Sequence, residues 1–313
     1  MNRVDSRLIY YILIFLICAS CKPALDIADQ RLEEGTFVLP GSISITSSVE
    51  NHYPVTLPGM IFVPGGQVTL SEPRSPAEVT VSVKAFLLDS TEVTIAQFRS
   101  FVQATHYITD AEKFGNSGVF SMATREWALI DSANWTRPRG LNLPVAKDDE
   151  PVTQISWFDA TAFCKWKGKR LPNEIEWEHA ARNGRNDQSI YSWGDDWETD
   201  TSIFGNVWQG DFPEVFRNLD GYETVAPVGS FRSSPLGFKD LSGNVWEWCD
   251  NWRFEYEDLA TGHHSLTKEK VIKGGSFLCA PNYCHGYALN SRMFTTPETS
   301  LFHMGCRCAK DVE

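Results

Sequence analysis

Four common catalytic signatures are missing from this chain. It contains no Gly-x-Gly-x-x-Gly run, no phosphate-binding Gly-x-x-x-x-Gly-Lys loop, no Gly-x-Ser-x-Gly elbow and no His-Glu-x-x-His pair. Dinucleotide, nucleoside-triphosphate, serine-hydrolase and zinc-protease chemistry therefore lose their usual sequence basis. Histidine is scarce, with seven among 313 residues, and none is followed two positions on by Asp or Glu; a non-haem iron facial triad has no footing. Positive charge is short as well. Twenty-eight Lys and Arg against 40 Asp and Glu give a net charge of −12, so no basic face and no nucleic-acid partner is expected. No apolar run is long enough to span a bilayer, and there is no internal repeat or low-complexity tract.

The N-terminus has a definite order. Arg3 and Arg7 precede an apolar run from Leu8 to Ile17, and Cys18-Ala19-Ser20-Cys21 follows; charged, apolar and small residues in that order mark a secretory signal. Ala19-Ser20-Cys21 is similar to a bacterial lipoprotein box, although Cys18 stands where leucine is usual. The likeness implies cleavage after Ser20 and a lipid on Cys21, which would anchor a monomer to the bacterial cell envelope, on its periplasmic or cell-surface side. A soluble secreted chain cleaved near Ser20 is the alternative. Residues 1–20 then form the signal, the polar stretch 21–55 a tether, and 56–313 the domain. With 42% apolar residues the domain has enough material for a sizeable core.

Periodicity places three helices. Thr94 opens one through about Ala104, Ser156 caps one to about Lys167, and Pro172 starts one that stops near Asn183-Gly184. Strand patterns lie around Met60 to Gly66 and from Val79 to Asp89. Beyond Gly184 the chain reads as short strands and loops, which need disulfides or metal ions to anchor them. His179 reads as a structural histidine within its helix, and His263 and His264 as residues of a polar insert.

Six cysteines remain in the domain, namely Cys164, Cys249, Cys279, Cys284, Cys306 and Cys308, a number suited to an oxidising compartment. Their pairing is not readable from spacing. The stretch Lys273 to Cys284, KGGSFLCAPNYC, stands out. Val271 and Ile272 lead into a Gly-Gly-Ser bend that sets Cys279 and Cys284 five positions apart. Two thiols so held have three fates: a local disulfide, a pair of soft metal ligands, or two unrelated buried side chains.

Taken in order, the motifs GMIFVPGG, DSTEVTIAQFRSFV, AEKFGNSGVF, PVTQISWFDATAFCKWKGKRLPNEIEWEHAARNG, NVWQGDFP, DGYETVAPVGSF, LSGNVWEW, KGGSFLC, NYC and GCRCA make the chain resemble the formylglycine-generating enzyme, or sulfatase-modifying factor, family from about Pro58 to Asp311. Many relatives with this scaffold lack the cysteine pair, so the pair is what discriminates. The resemblance implies an α+β fold of the formylglycine-generating type, related to C-type lectins, with little regular secondary structure. It implies that Cys279 and Cys284 bind Cu(I), as soft thiolates do, that Ser276 and Trp246 line the site, and that Tyr283 and Arg292 contact substrate. From the residues alone, Trp246 reads as core and Arg292 as a surface ion-pair partner.

The implied reaction uses O2 to convert a cysteine in a Cys-x-Pro-x-Arg segment of an unfolded or partly folded sulfatase to Cα-formylglycine. Calcium is implied at Asn206, Val207, Asp220 and Tyr222, and at Asp240, Gly243, Val245 and Glu247. A disulfide is implied between Cys164 and Cys308. A second family disulfide is lost from both ends, since its positions hold Ala181 and Leu289. Two departures stand out: Ala280 replaces a frequent histidine, and Cys306 replaces a phenylalanine. Pairing of Cys306 with Cys249 and a buried free thiol both stay open. The competing reading is a non-catalytic envelope lipoprotein that uses the scaffold for binding or assembly; a sulfoxide-synthase-like oxidase would want histidine iron ligands, which the chain does not pattern.

Overall fold

The computed structural model describes residues 57–72, 78–199, 202–261 and 267–312. The signal, Cys21, the tether, His263 and His264 lie outside them.

The chain begins with four strands, β1 (Met60–Val63), β2 (Gly66–Ser71), β3 (Glu78–Val83) and β4 (Phe86–Asp89), then two helices, α1 (Ile95–Thr105) and α2 (Asp110–Phe114). Strands β5 (Asn116–Ser121) and β6 (Glu126–Asp131) form a hairpin before α3 (Trp157–Trp166) and α4 (Glu174–Ala181). After the two-residue strands β7 (Glu198–Thr199) and β8 (Ser202–Ile203) come β9 (Trp246–Trp252), α5 (Tyr256–Thr261), β10 (Lys270–Lys273), β11 (Met293–Thr295), β12 (Met304–Gly305) and β13 (Ala309–Asp311).

Helices α1 to α4 each start with a reciprocal capping box. Thr94 with Gln97, Thr109 with Glu112, Ser156 with Asp159 and Asn173 with Glu176 satisfy two otherwise orphaned N–H groups apiece. Asn173 is therefore the cap of α4, and Pro172 lies just outside the helix rather than at its first position. The Val79 to Asp89 pattern resolves into two strands. β3 alternates in burial against β2, whereas Phe86, Leu87 and Leu88 of β4 are all buried between β1 and β13. The short helices α2 and α5 carry too few turns to show a period in sequence.

Two sheets organise the domain. The order β1-β4-β13 lays the last strand antiparallel on β4 and so joins the two ends of the domain. The order β11-β10-β9-β12 is antiparallel except for β12, which runs parallel to β9 with Met304 opposite Trp246 and Gly305 opposite Glu247. That parallel pairing sets the segment around His303 beside the start of β9, while β10 leads straight into the Gly-Gly-Ser bend. No helix among the described residues is long and apolar enough to cross a membrane.

Candidate active site

The bend needs its glycines. Gly274 has φ +93° and Gly275 φ +72°, and a side chain on Gly275 would run into the backbone of Gly286 and Tyr287. The N–H of Phe277 donates to the carbonyl of Asn244 at 3.0 Å, and that of Gly243 to the carbonyl of Gly274 at 2.8 Å. The loop is thus laced to the segment that enters β9.

On this frame Cys279 is 2% exposed and Cys284 part-exposed. The two residues meet sulfur to sulfur, with Cα atoms 5.5 Å apart. The N–H of Ser276 donates to Cys279 Sγ at 3.4 Å, and Ser276 Oγ lies 4.0 Å from the same sulfur. Trp246, the first residue of β9, closes over the pair. A β-carbon on Gly286 would enter its ring and stand 3.2 Å from Cys279 Sγ, so Trp246, Gly286 and Cys279 meet at one point. Tyr287 packs in the same cluster and leads to an aromatic wall through Trp197 and Tyr191, at ring distances of 4.7 and 5.9 Å. Burial pushes the Tyr287 hydroxyl well above its ordinary pKa. Tyr283 is exposed at the rim, where its ring stacks on Phe212 at 4.3 Å.

One expected participant is elsewhere. Arg292 is not at the pair: its side chain is 2% exposed, bonded to Glu72 at 2.6 Å and Glu174 at 2.7 Å, and packed on Phe254, Tyr256 and Phe294. A guanidinium enclosed by two carboxylates and three rings has no face open to a peptide, so the substrate-contact expectation gives way to a buried ion pair. Three residues with a place in the site were not expected: Gly286, Tyr287 and His303. The imidazole of His303 meets Ser276 Oγ at 3.0 Å, and its sequence signal is only a lone histidine in an apolar stretch.

The structure sets Cys164 and Cys308 with their sulfurs 2.6 Å apart, both buried. Cys306 lies against Cys164 as well. Cys249 belongs to a different core cluster from these three, so pairing of Cys306 with Cys249 is ruled out. Ala181 and Leu289 are both buried apolar residues of the Cys249 cluster.

The two calcium sets behave differently. Around Asp240 and Glu247 three carboxylates are buried together, the third being Glu92, which receives Val245 N–H at 3.2 Å and Asn244 Nδ2 at 2.7 Å. Arg307 grips Glu247 with two bonds of 2.7 Å and so answers one charge of the three. Asp240 Oδ1 is buried without a hydrogen-bond partner, and burial raises its carboxyl to about 6. Burial, with Asp240 and Glu247 near, also drives Glu92 well above the carboxylate range. The Trp177 indole N–H also meets Glu247 Oε2 at 2.7 Å, so both Glu247 oxygens are taken and Asp240 Oδ1 is the one oxygen of this set left open; among the described residues no group of three or more His, Cys, Asp or Glu is placed to hold a metal ion. In the other set the Gln209 amide donates to both the Val207 carbonyl and Asp220 Oδ2 at 2.6 Å, Tyr222 N–H meets Asp220 Oδ1, and Asn206 Nδ2 donates to Thr224 and Asn244. Those bonds meet the needs of Val207 and Asp220 within the protein, so the first set does not show the demand for a cation that the second does.

One antiparallel and one mixed sheet braced by capped helices, with a cysteine pair on a glycine bend beside a tryptophan strand, define an α+β domain of the formylglycine-generating type. The chain belongs to the sulfatase-modifying factor enzyme 1-like domain family, whose profile matches residues 46–312. It is 36% identical over 283 residues to the formylglycine-generating enzyme of Streptomyces coelicolor, covering 82% of this chain and 90% of that one. It is also 33% identical over 277 residues to the inactive C-alpha-formylglycine-generating enzyme 2 of Mus musculus, covering 80% and 85%. The structure of PvdO from Pseudomonas aeruginosa shares the fold, with a TM-score of 0.61 at 19% identity over 81% of this chain and 94% of that one.

Proposed function

We propose that this protein is an oxidase of sulfatase maturation, converting a cysteine in a Cys-x-Pro-x-Arg segment of an unfolded or partly folded sulfatase to Cα-formylglycine with Cu(I) and O2. The observation that carries this reading is the convergence of Cys279 and Cys284 on a fixed bend, in a chain of the family that includes enzymes named for this reaction. Two thiols suit Cu(I) above harder cations. Bound there, copper would supply the electron transfer to dioxygen.

The chain's own residues do the rest. Ser276 N–H holds Cys279 in place, and the Trp246 ring packs against Gly286 beside Cys279 Sγ. Cys284 is the more exposed residue of the pair and directly follows Tyr283, whose ring stacks on Phe212, so a substrate thiol would approach from its side. Of the expected Ca²⁺ set, Asp240 with its unpartnered Oδ1 is the residue open to a cation, which would brace the segment that enters β9. A lipid on Cys21 would keep the monomer at the cell envelope; Cys21→Ser should abolish lipid labelling.

A permanent disulfide across so short a loop would restrict the unfolded chain little, which is a weak reason for this construction. The second reading, a non-catalytic scaffold, has support in the relative of 33% identity that is named inactive. Oxygen uptake by reduced, Cu(I)-loaded protein with a Cys-x-Pro-x-Arg peptide separates the two. The expected result is peptide-dependent uptake in wild type and none in Cys279→Ser or Cys284→Ser, with both variants folded. A wild type that neither binds copper nor converts the peptide would leave the scaffold reading in place.

A further inference from the structure

His303 stands at the end of a short chain of polar contacts that reaches the buried cysteine. Its Nδ1 lies 3.0 Å from Ser276 Oγ, which also receives Leu278 N–H at 3.3 Å and sits 4.0 Å from Cys279 Sγ. The parallel pairing of β12 with β9 fixes its backbone, since Trp246 N–H donates to the His303 carbonyl at 2.9 Å. The ring is packed by Trp127, Phe302 and Phe277, with centroids 5.1, 5.8 and 6.4 Å away. Desolvation by these rings holds its pKa down, so the imidazole of this part-buried residue is neutral and carries one N–H.

Counting donors decides which nitrogen bears it. The Ser276 oxygen has two lone pairs and one proton. With the proton on Nδ1, His303 and Leu278 fill both lone pairs, and the hydroxyl proton is left for Cys279 Sγ, which then has two donors from Ser276. With Nδ1 bare, the hydroxyl turns to the ring, one lone pair stays empty and the sulfur keeps a single donor. The first arrangement uses the proton and both lone pairs of the Ser276 hydroxyl.

We propose that His303 is a positioning residue of the cysteine site, whose Nδ1–H orients the Ser276 hydroxyl so that its proton points at Cys279 Sγ. The role rests on the cysteine pair being the reactive centre, as proposed above. A second hydrogen bond to sulfur stabilises negative charge there and shapes the sulfur's reactivity toward electrophiles and soft metals.

The test is a double-mutant cycle in the full chain. It compares wild type, Ser276→Ala, His303→Leu and the pair, with circular dichroism confirming the fold. Two quantities are read: the rate of Cys279 alkylation by iodoacetamide in reduced, metal-free protein, mapped by mass spectrometry, and Cu(I) affinity by competition with bicinchoninate. Loss of His303 should slow alkylation and weaken Cu(I) binding about tenfold, the effect of one hydrogen bond to a charged group. In the Ser276→Ala background His303→Leu should add nothing. His303→Asn, with an amide nitrogen where Nδ1 stood, should restore most of the loss, whereas His303→Gln, with its amide one carbon further out, should not. The Asn and Gln pair decides the matter if the Leu variant fails to fold. Equal losses with and without Ser276, or no loss at all, would overturn the proposal. A wild type that binds no Cu(I) yet shows the coupling in alkylation would sink the copper reading and leave the His303 link standing.

Discussion

Gly286 has no room for a methyl group. Its β-carbon would enter the Trp246 ring and press on Cys279 Sγ at 3.2 Å, so Gly286→Ala should push the ring or the cysteine aside. We expect Cu(I) affinity and peptide-dependent oxygen uptake to fall at least tenfold, with stability lower by about 1 to 3 kcal/mol as in other overpacked cores. Retained activity would show that the ring gives way freely. At this scale the sequence was informative where chemistry is carried by a rare residue type. The cysteine pair, Ser276 and Trp246 are read from their motifs and do meet. Gly286 and His303 were illegible because their importance lies in what stands across from them, and a glycine or lone histidine in sequence carries no such record. Arg292 does pair with carboxylates, as its residue type suggests, but that it does so buried and away from substrate was illegible, because its partners Glu72 and Glu174 are 220 and 118 positions away.

The N-terminus of α3 gives a test at the scale of an element. Asp159 closes the capping box with Ser156 and receives the Tyr107 hydroxyl at 3.0 Å and the backbone N–H of Asp110. Burial is the larger influence and raises its pKa from 3.8 to about 6, with Asp110 adding to it and the hydrogen bonds opposing. A carboxyl whose folded pKa exceeds its unfolded value holds its proton more tightly when folded. Its contribution to stability is fully present below about pH 4 and is lost as pH rises through about 6, on the order of 3 kcal/mol in total. Asp159→Asn cannot titrate, so its stability relative to wild type should improve steadily between pH 4 and 7, whatever its offset. Urea unfolding at several pH values measures this, and a flat difference would show that Asp159 titrates near its ordinary value. The three long helices were legible because capping boxes and apolar spacing are local signals. The sheet order was not: β13 joins β4, and β12 joins β9, across separations that no periodicity reports.

At the scale of the whole molecule, the question is what fastens the C-terminus to the middle of the chain. β13 lies on β4, and beside it Cys308 reaches Cys164 on α3, 144 positions earlier. Under oxidising conditions that contact should close as a disulfide, and a loop of this length is worth about 4 to 5 kcal/mol in the chain-entropy model. For a domain of this size that corresponds to roughly 10 to 20 °C in Tm. The third sulfur makes the tie asymmetric. Cys164 touches both Cys306 and Cys308, so Cys164 is the shared partner and Cys306 stands ready to replace Cys308. Cys164→Ala should therefore lose the whole of the stabilisation, and Cys308→Ala only part of it, with peptide mapping of the latter finding Cys164 bonded to Cys306. The double variant Cys306→Ala/Cys308→Ala should fall back to the level of Cys164→Ala. Cys164, Cys306 and Cys308 are all buried, which keeps outside thiols from reaching the bond while the domain stays folded. Equal melting temperatures for Cys164→Ala and Cys308→Ala would show that Cys306 is a packing residue and that the fastening has a single form.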